Sequence, residues 1–342
     1  MNVLVAGGAG FVGSVCSEQL LAAGHAVLVV DNLSTGHREA LPPSASFVEG
    51  DFGNKELIRD LVRKYHIEAV MHFAGETLVE KSMTDPSIYF QNNVRKGLDL
   101  LDALLKCGVK KFVFSSTAAV YGEPVATPIA ETHPKAPINA YGESKLILER
   151  ILEWYRRAYG LQYAALRYFN AAGASQHFGE DHDPESHLLP RILDCALDPS
   201  REFVVYGEDY ATPDGSCVRD YVHVLDIAQA HILAMDALHD EQRQGAYNIG
   251  SSRGYSVREV VRTVEEVTGR KLRVRVGARR QGDPAILVAT HDRVVRELGW
   301  KPRFSSLQDI VQSAWDWKRK HPQGYESVPA EVTAGLTRLN VH

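Results

Sequence analysis

The chain has 342 residues, 38 of them Lys or Arg against 43 Asp or Glu, for a net charge of −5. That length allows one large or two modest domains with a sizeable core, and a mildly acidic balance without a long basic run argues against a nucleic-acid partner. No apolar run approaches the roughly 20 residues needed to cross a bilayer.

Met-Asn-Val-Leu-Val-Ala-Gly-Gly lacks a basic leader and reads as a first strand instead of a signal peptide. The four cysteines, Cys16, Cys107, Cys195 and Cys217, lie far apart with no CxxC pair. The expectation is a soluble cytoplasmic protein with reduced thiols.

Residues 3–6 form a β-branched run, followed by Gly7-Gly8-Ala9-Gly10-Phe11-Val12-Gly13 and an apolar-periodic stretch ending at Gly24. This predicts strand, glycine turn and helix: Gly7 for the tight turn, Gly10 for close approach of a pyrophosphate, Gly13 for close packing of helix on strand. A second strand, residues 26–30, runs into Asp31, whose carboxylate suits adenosine ribose hydroxyls and repels a 2′-phosphate, so NAD is favoured over NADP. Arg38 reads as solvated loop charge.

Alternation continues with strands at 47–50, 69–73, 111–115 and 164–169, and helices at 57–65, 86–105 and around Tyr141. Regular β-α alternation predicts a Rossmann-type doubly wound parallel α/β sheet, with ligands at the carboxyl ends of its strands. Asp51, Phe73-Ala74, Ser115-Ser116-Thr117 and Phe169-Asn170 fall at those ends.

Tyr141 and Lys145 are four residues apart in a helical segment, so they share one face. An ammonium about 4 Å from a phenol attracts the phenolate by ~4 kcal/mol at an effective dielectric of ~20, before Lys desolvation is subtracted. That lowers a reference pKa of ~10 toward the range of a neutral-pH base. A hydroxyl of Ser115-Ser116-Thr117 is placed to bond the same substrate oxygen. Residues 124–137, with four prolines, read as a loop. Asn139 is the predicted N-cap of the Tyr141 helix, Ile147, Ile151, Trp154 and Ala158 its buried stripe, and Gly160 its end.

Beyond about residue 171 the texture changes, which divides the chain into a first domain, 1–171, and a smaller C-terminal α/β domain, 172–342, from which the chain crosses back to the first. Residues 171–185 read as a loop or lid. His177, His182 and His187 recur every five residues there, a spacing that neither stacks on a helix face nor matches common ligand pairs, so no metal is expected. Shorter elements follow: a helix from 188, a strand at 203–206, an extended segment at 218–224 and helices at 226–239, 256–268 and 306–317. Arg219 and Arg280 suit a phosphorylated ligand.

These motifs resemble the extended short-chain dehydrogenase/reductases, and within them the UDP-sugar 4-epimerases. The resemblance runs through Gly-Gly-Ala-Gly-Phe-Val-Gly at 7–13, His-Phe-Ala-Gly at 72–75, Tyr-Gly-Glu-Ser-Lys at 141–145, Asp-Gly-Ser-Cys-Val-Arg-Asp-Tyr-Val-His-Val at 214–224, Arg-Arg-Gln-Gly-Asp at 279–283 and His-Pro-Gln-Gly-Tyr at 321–325. The segments from Asp214 and Arg279 are the more specific.

The resemblance implies reversible epimerisation at C4 of a UDP-hexose, UDP-galactose to UDP-glucose, by transient hydride transfer to tightly bound NAD through a 4-keto sugar. Tyr141 is then the base, Thr117 shares its proton-transfer hydrogen bond, and Lys145 holds the nicotinamide ribose and lowers the Tyr141 pKa. It places Gly7, Gly10, Phe11, Val12, Gly13, Asp31, Asn32, Asp51, Phe52, Phe73, Ala74, Asn93, Tyr141, Lys145 and Phe169 at NAD. Thr117, Asn170, His187, Leu188, Tyr206, Arg219, Arg280 and Asp283 fall to the UDP-sugar, with Tyr206 against the uracil and the arginines on the pyrophosphate. It further implies a homodimer through the 86–105 and Tyr141 helices.

Two positions depart from the pattern. Thr77 stands where many relatives carry a Lys, and Leu287, neither large aromatic nor small, occupies the position associated with admitting N-acetylated sugars. UDP-GlcNAc/GalNAc, UDP-xylose/arabinose and UDP-glucuronate stay open as substrates, since their 4-epimerases share the catalytic residues. A 4,6-dehydratase needs an acidic pair after the active-site Thr, where this chain has Ala118-Ala119. A non-catalytic NAD-binding regulator has no need of Tyr141, Lys145 and Thr117 together.

Overall fold

The computed structural model describes residues 1–279 and 283–327. The first half follows the predicted alternation: β1 (Asn2–Ala6), α1 (Phe11–Ala22), β2 (Ala26–Asp31), β3 (Ser46–Glu49), α2 (Lys55–Tyr65) and β4 (Ala69–His72). After β4 come two short helices, α3 (Val79–Thr84) and α4 (Pro86–Tyr89), then α5 (Lys96–Lys106), β5 (Lys111–Thr117), α6 (Ala140–Tyr159) and β6 (Gln162–Tyr168). The expected single helix over 86–105 is interrupted, because Phe90–Arg95 is wound as a π-helix between α4 and α5.

The second half holds β7 (Asn170–Ala172), α7 (Leu188–Leu197), β8 (Phe203–Tyr206), β9 (Val218–His223), α8 (Val224–Ala237) and β10 (Gly245–Ile249). It ends with β11 (Gly254–Ser256), α9 (Val257–Thr268), β12 (Val274–Gly277), β13 (Ile286–Leu287), α10 (Asp292–Leu298) and α11 (Leu307–Lys320).

The main sheet is parallel and seven-stranded, in the order β10-β6-β5-β4-β1-β2-β3. Sequence pattern ended this sheet at β6. The seventh strand comes from the second half of the chain, with Gly245 opposite Ala164 and Ile249 opposite Tyr168. Both faces of the sheet are covered, which is why its strands are almost continuously apolar. Val3, Val5, Val27, Val29 and Met71 pack under α1 and α8; Leu4, Leu28, Val30, Val70, Phe112 and Phe114 pack under α2, α5 and α6. Each such side chain, fully buried, contributes about 1.5–3 kcal/mol.

Helix α6 starts and stops where its caps dictate. The Asn139 Oδ1 accepts from the Gly142 N–H at 2.8 Å, and Gly160 closes the helix at φ 67°. Its buried face, however, is not the predicted one: Leu148 and Leu152 are buried, while Trp154 is 67% exposed and Ala158 lies in solvent. The helix carries apolar residues on two sides, and the sheet takes the side that also carries Lys145 and Glu149.

A separate core joins α7, α9 and α11 to β8 and β9. β9 is paired by β7, β11 and β13, and β8 by β12. None of the four cysteines is in a disulfide.

Candidate active site

The β1–α1 turn is shaped by close backbone approach. A Cβ on Gly7, at φ +81°, would lie 2.4 Å from the Ala74 nitrogen, and one on Gly13 would lie 2.2 Å from the Gly7 carbonyl oxygen. At Gly10 the situation is different: a Cβ would meet nothing nearer than the Gly7 oxygen at 3.6 Å. Helix α1 begins there without a side-chain cap or a first-turn acid, so its N-terminal N–H groups and positive dipole end face that space. Phe11 and Val12 open the helix against the core under the sheet.

Asp31 ends β2 next to this turn. Its carboxylate accepts from the Ala9 N–H at 3.0 Å and the Leu33 N–H at 2.9 Å, which fixes its direction while burial pushes its pKa up. Asn32 accepts from the Ser34 N–H at 3.1 Å. Asp51, just past β3, is paired with Lys96 at 2.6 Å, and Phe52 lies against the His72 ring. Arg38, half-buried, is paired with Glu49 at 2.6 Å. An uncapped helix N-terminus, an open glycine cradle and a fixed carboxylate one strand over fit the pyrophosphate and ribose of a dinucleotide.

At the ends of the central strands the hydroxyls divide their work. Ser115 bonds the Tyr168 hydroxyl, and Ser116 donates to Glu149 at 2.5 Å. Thr117 is the one that acts on the phenol: its side chain opposes the burial-driven rise of the Tyr141 pKa and accepts from the Ala119 N–H at 3.1 Å. The first turn of α6 reaches this position because Gly142 has no side chain; a Cβ there would sit 2.5 Å from the Ala119 carbonyl oxygen.

Lys145, 2% exposed, donates to the Ser115 carbonyl at 3.1 Å and lies over the Phe114 ring at 5.0 Å. Among the described residues no carboxylate pairs with it. Burial lowers its pKa to about 8. A buried ammonium without a counter-charge has donors to offer a neutral polyol such as a ribose.

The expectation that Lys145 lowers the Tyr141 pKa is not met in the structure. Burial pushes the phenol up, and the opposing influence is the Thr117 hydroxyl. The desolvation that makes Lys145 a weaker cation raises Tyr141 as well.

Asn93 stands on the π-helix with its amide fully engaged. It accepts from the Glu76 N–H at 2.8 Å and donates to the Glu76 carbonyl at 3.1 Å and to the Ser144 hydroxyl at 2.9 Å. It therefore joins the segment after β4 to the residue beside Lys145. Phe73 and Ala74 turn back on the Ala6 carbonyl, at 2.8 and 3.0 Å, and Thr77 is exposed. Phe169 packs with Leu287 against Val120, Tyr121, Ile129 and Leu146.

The candidate substrate residues gather on the smaller sheet and α7. Asn170 donates to the Asp220 carbonyl at 2.9 Å, Leu287 pairs with Arg219 in the ladder, and Arg219 is ion-paired with Asp283. Tyr206 ends β8 opposite Gly277. His187 precedes α7 and Leu188 begins it. Burial acts against charge on His187, but the Glu180 and Glu185 carboxylates outweigh it and raise its pKa to about 10. Arg280 lies outside the described residues.

Sequence reading missed two features here. Glu149, one turn past Lys145, forms a buried ion pair with Arg167, and Glu180 and Glu185 close around His182 and His187. A charged residue inside a helix reads as solvent-facing, so Glu149 gave no signal apart from its i+4 spacing from Lys145.

The fold is that of a dinucleotide-binding enzyme, and the chain belongs to the NAD dependent epimerase/dehydratase family, whose model matches residues 3–250. It is 46% identical over 327 residues to the UDP-glucose 4-epimerase of Lacticaseibacillus casei, spanning 95% of this chain and 99% of that protein. A solved UDP-glucose 4-epimerase structure superposes with a TM-score of 0.93 at 45% identity, covering 96% of this chain and 100% of that one. The Brucella ovis UDP-glucose 4-epimerase in complex with NAD gives 0.89 at 45% identity, covering 92% and 98%.

Proposed function

We propose that this chain interconverts UDP-galactose and UDP-glucose by epimerisation at C4. The observation that carries the reading is that Thr117, at the end of β5, and Tyr141, in the first turn of α6, meet beside the buried Lys145, which has no carboxylate partner among the described residues. Bound NAD would supply a reversible hydride acceptor for C4. The Gly7–Gly13 turn and Asp31 hold its pyrophosphate and adenosine ribose, and Lys145 holds its second ribose.

Tyr141 takes the proton from the sugar 4-hydroxyl and later gives it back, with the Thr117 hydroxyl fixing the direction of the transfer. Arg219, steadied by Asp283, serves the UDP pyrophosphate. Tyr206, Asn170, His187 and Leu188 hold the remainder of UDP. A firm hold on UDP and a weak one on the sugar lets the 4-keto sugar turn over between the two hydride transfers.

The same reading includes a homodimer. Trp154 and Tyr159 on α6, 67% and 57% exposed, and Phe90, 38% exposed, supply an apolar face for a second copy. No helix among the described residues is long and apolar enough to cross a membrane, and the reading places the enzyme in the cytoplasm.

The test is incubation of the purified protein with UDP-galactose without added cofactor, following UDP-glucose through a coupled dehydrogenase. UDP-GalNAc and UDP-arabinose are run alongside with product separation. Conversion of UDP-galactose supports both the reaction and a retained, self-regenerating cofactor. No turnover of any of the three, with NAD demonstrably bound, overturns it.

A further inference from the structure

The segment between β7 and α7 was expected to hold no metal, since its histidines recur at a spacing unsuited to a helix face. The structure separates them differently. His177 leaves the group and pairs with Glu18 at 2.6 Å. His182 and His187 come together, ring centroids 5.0 Å apart, with Glu180 and Glu185 between them.

We propose that Glu180, His182, Glu185 and His187 form a closed site for a divalent cation of the zinc class. The Glu180 Oε1 lies 2.8 Å from the His187 Nδ1 and 3.6 Å from the His182 Nδ1. Glu185 lies 3.0 Å from the His187 Nδ1 through Oε1 and 3.9 Å from the His182 Nδ1 through Oε2. One ligand atom from each residue falls within 4.8 Å of all the others. Four ligands about 2.0 Å from a zinc ion stand about 3.3 Å apart at tetrahedral angles, in the middle of those distances.

The carboxylates are shielded, while the imidazoles are more open, His182 at 23% and His187 at 44%. The side chains of Glu180 and Glu185 are 8% and 16% exposed, and among the described residues neither meets a Lys or Arg. Two shielded carboxylates thus have imidazoles as their ion-pair partners. The His182 Nδ1 is buried and, among the described residues, has no hydrogen-bond partner, an omission that is unfavourable unless something is bound there. The donors are preorganised: Asp181, between two of them in sequence, accepts from the Tyr325 N–H at 2.9 Å and lies 3.5 Å from His37.

Two imidazoles with two carboxylates suit zinc, cobalt or nickel better than calcium, which takes oxygen ligands throughout. Four protein ligands leave no open position, so the ion is structural. It would fix His187 and Leu188 at the start of α7, and thereby one wall of the proposed UDP site.

The test titrates chelator-treated full-length protein with cobalt(II) alone. The wild type should take up one equivalent with the intense visible absorption of four-coordinate cobalt, which zinc abolishes by displacement. His182→Gln should bind cobalt more than about 100-fold more weakly, exceeding the roughly 10–100-fold loss typical when an outer-shell partner is removed. Its melting temperature without metal should match that of the wild type. Glu185→Gln is the second variant, should His182→Gln fail to fold. Equal cobalt uptake by wild type and a folded variant, or only the pale spectrum of hydrated cobalt, would overturn the site and leave a plain histidine–carboxylate cluster.

Discussion

Arg167 on β6 holds both carboxylate oxygens of Glu149 on α6, at 2.9 and 2.5 Å, with neither side chain more than 7% exposed. The link extends in both directions. Ser116 donates to the same carboxylate, and Arg167 reaches the Tyr121 hydroxyl at 2.9 Å, which donates to the Asn248 Oδ1 at 2.6 Å. One polar chain thus runs from β5 through α6 and β6 to β10. Removing one partner of a buried pair strands the other, at a cost of about 3–5 kcal/mol. Glu149→Ala should lose that much unfolding free energy in urea, and Glu149→Leu with Arg167→Met should regain most of it. A single-variant loss below about 1 kcal/mol would show that the pair does not carry the packing of α6.

Tyr141→Phe should retain NAD and lose turnover by about 10²- to 10⁴-fold, the usual share of a positioned acid–base group. Absorbance of the bound cofactor and the coupled assay read the two quantities separately. Unchanged turnover would remove Tyr141 from the chemistry.

Thr117→Val deletes the hydroxyl that opposes the burial-driven rise of the Tyr141 pKa. With that hydroxyl gone the phenol rises further, so the limb of the pH–rate profile that needs deprotonated Tyr141 should move to higher pH. Thr117→Ser should restore it. A profile lowered uniformly without moving would mean that Thr117 only caps the turn through the Ala119 N–H.

His72 is 1% exposed among Phe52, Phe112 and Phe114, and its ring nitrogens have no hydrogen-bond partner among the described residues. Burial, with Lys145 adding to it, lowers its pKa to about 3. Between that value and the ordinary 6.5 the unfolded chain binds a proton that the folded one refuses, so stability falls as pH falls through this window. His72→Leu should flatten the slope by about 1.4 kcal/mol per pH unit between pH 6 and 4. Denaturant curves of the two proteins with parallel slopes would refute it.

Trp154→Glu places a charge on the exposed apolar face of α6. Light scattering at micromolar concentration should give a dimer for the wild type and a monomer for the variant, with circular dichroism unchanged. A monomeric wild type removes the dimer.

Sequence showed most clearly what local chemistry decides. Asn139 and Gly160 bound α6 because a cap side chain and a left-handed glycine act within one turn. The glycine turn and Asp31 were legible for the same reason, and the Tyr141–Lys145 pair because helical spacing is fixed. The π-helix at Phe90–Arg95 was hidden, since a wider turn leaves composition almost unchanged. β10 was missed because five residues that include Gly245 and Asn248 have no strong strand pattern, and Asn248 is there to meet Tyr121. The choice between the two apolar sides of α6, and the gathering of Glu180, His182, Glu185 and His187, depend on tertiary placement. No spacing rule contains that information.

Because β10 closes the sheet beside β6, the order of synthesis matters to how this chain folds. When Tyr168 has left the ribosome, the outer edge of β6 has no strand to pair with, and Gly245 is still to be made. At 5–20 residues per second the edge stays open for roughly 4 to 15 s, with the N–H and C=O groups that later bond β10 available to any extended chain nearby. A nascent chain stalled or cut between β6 and α8 would therefore carry a complete glycine turn and an exposed apolar edge together. Such a fragment should partition to chaperones or aggregates instead of accumulating as a small dinucleotide-binding domain.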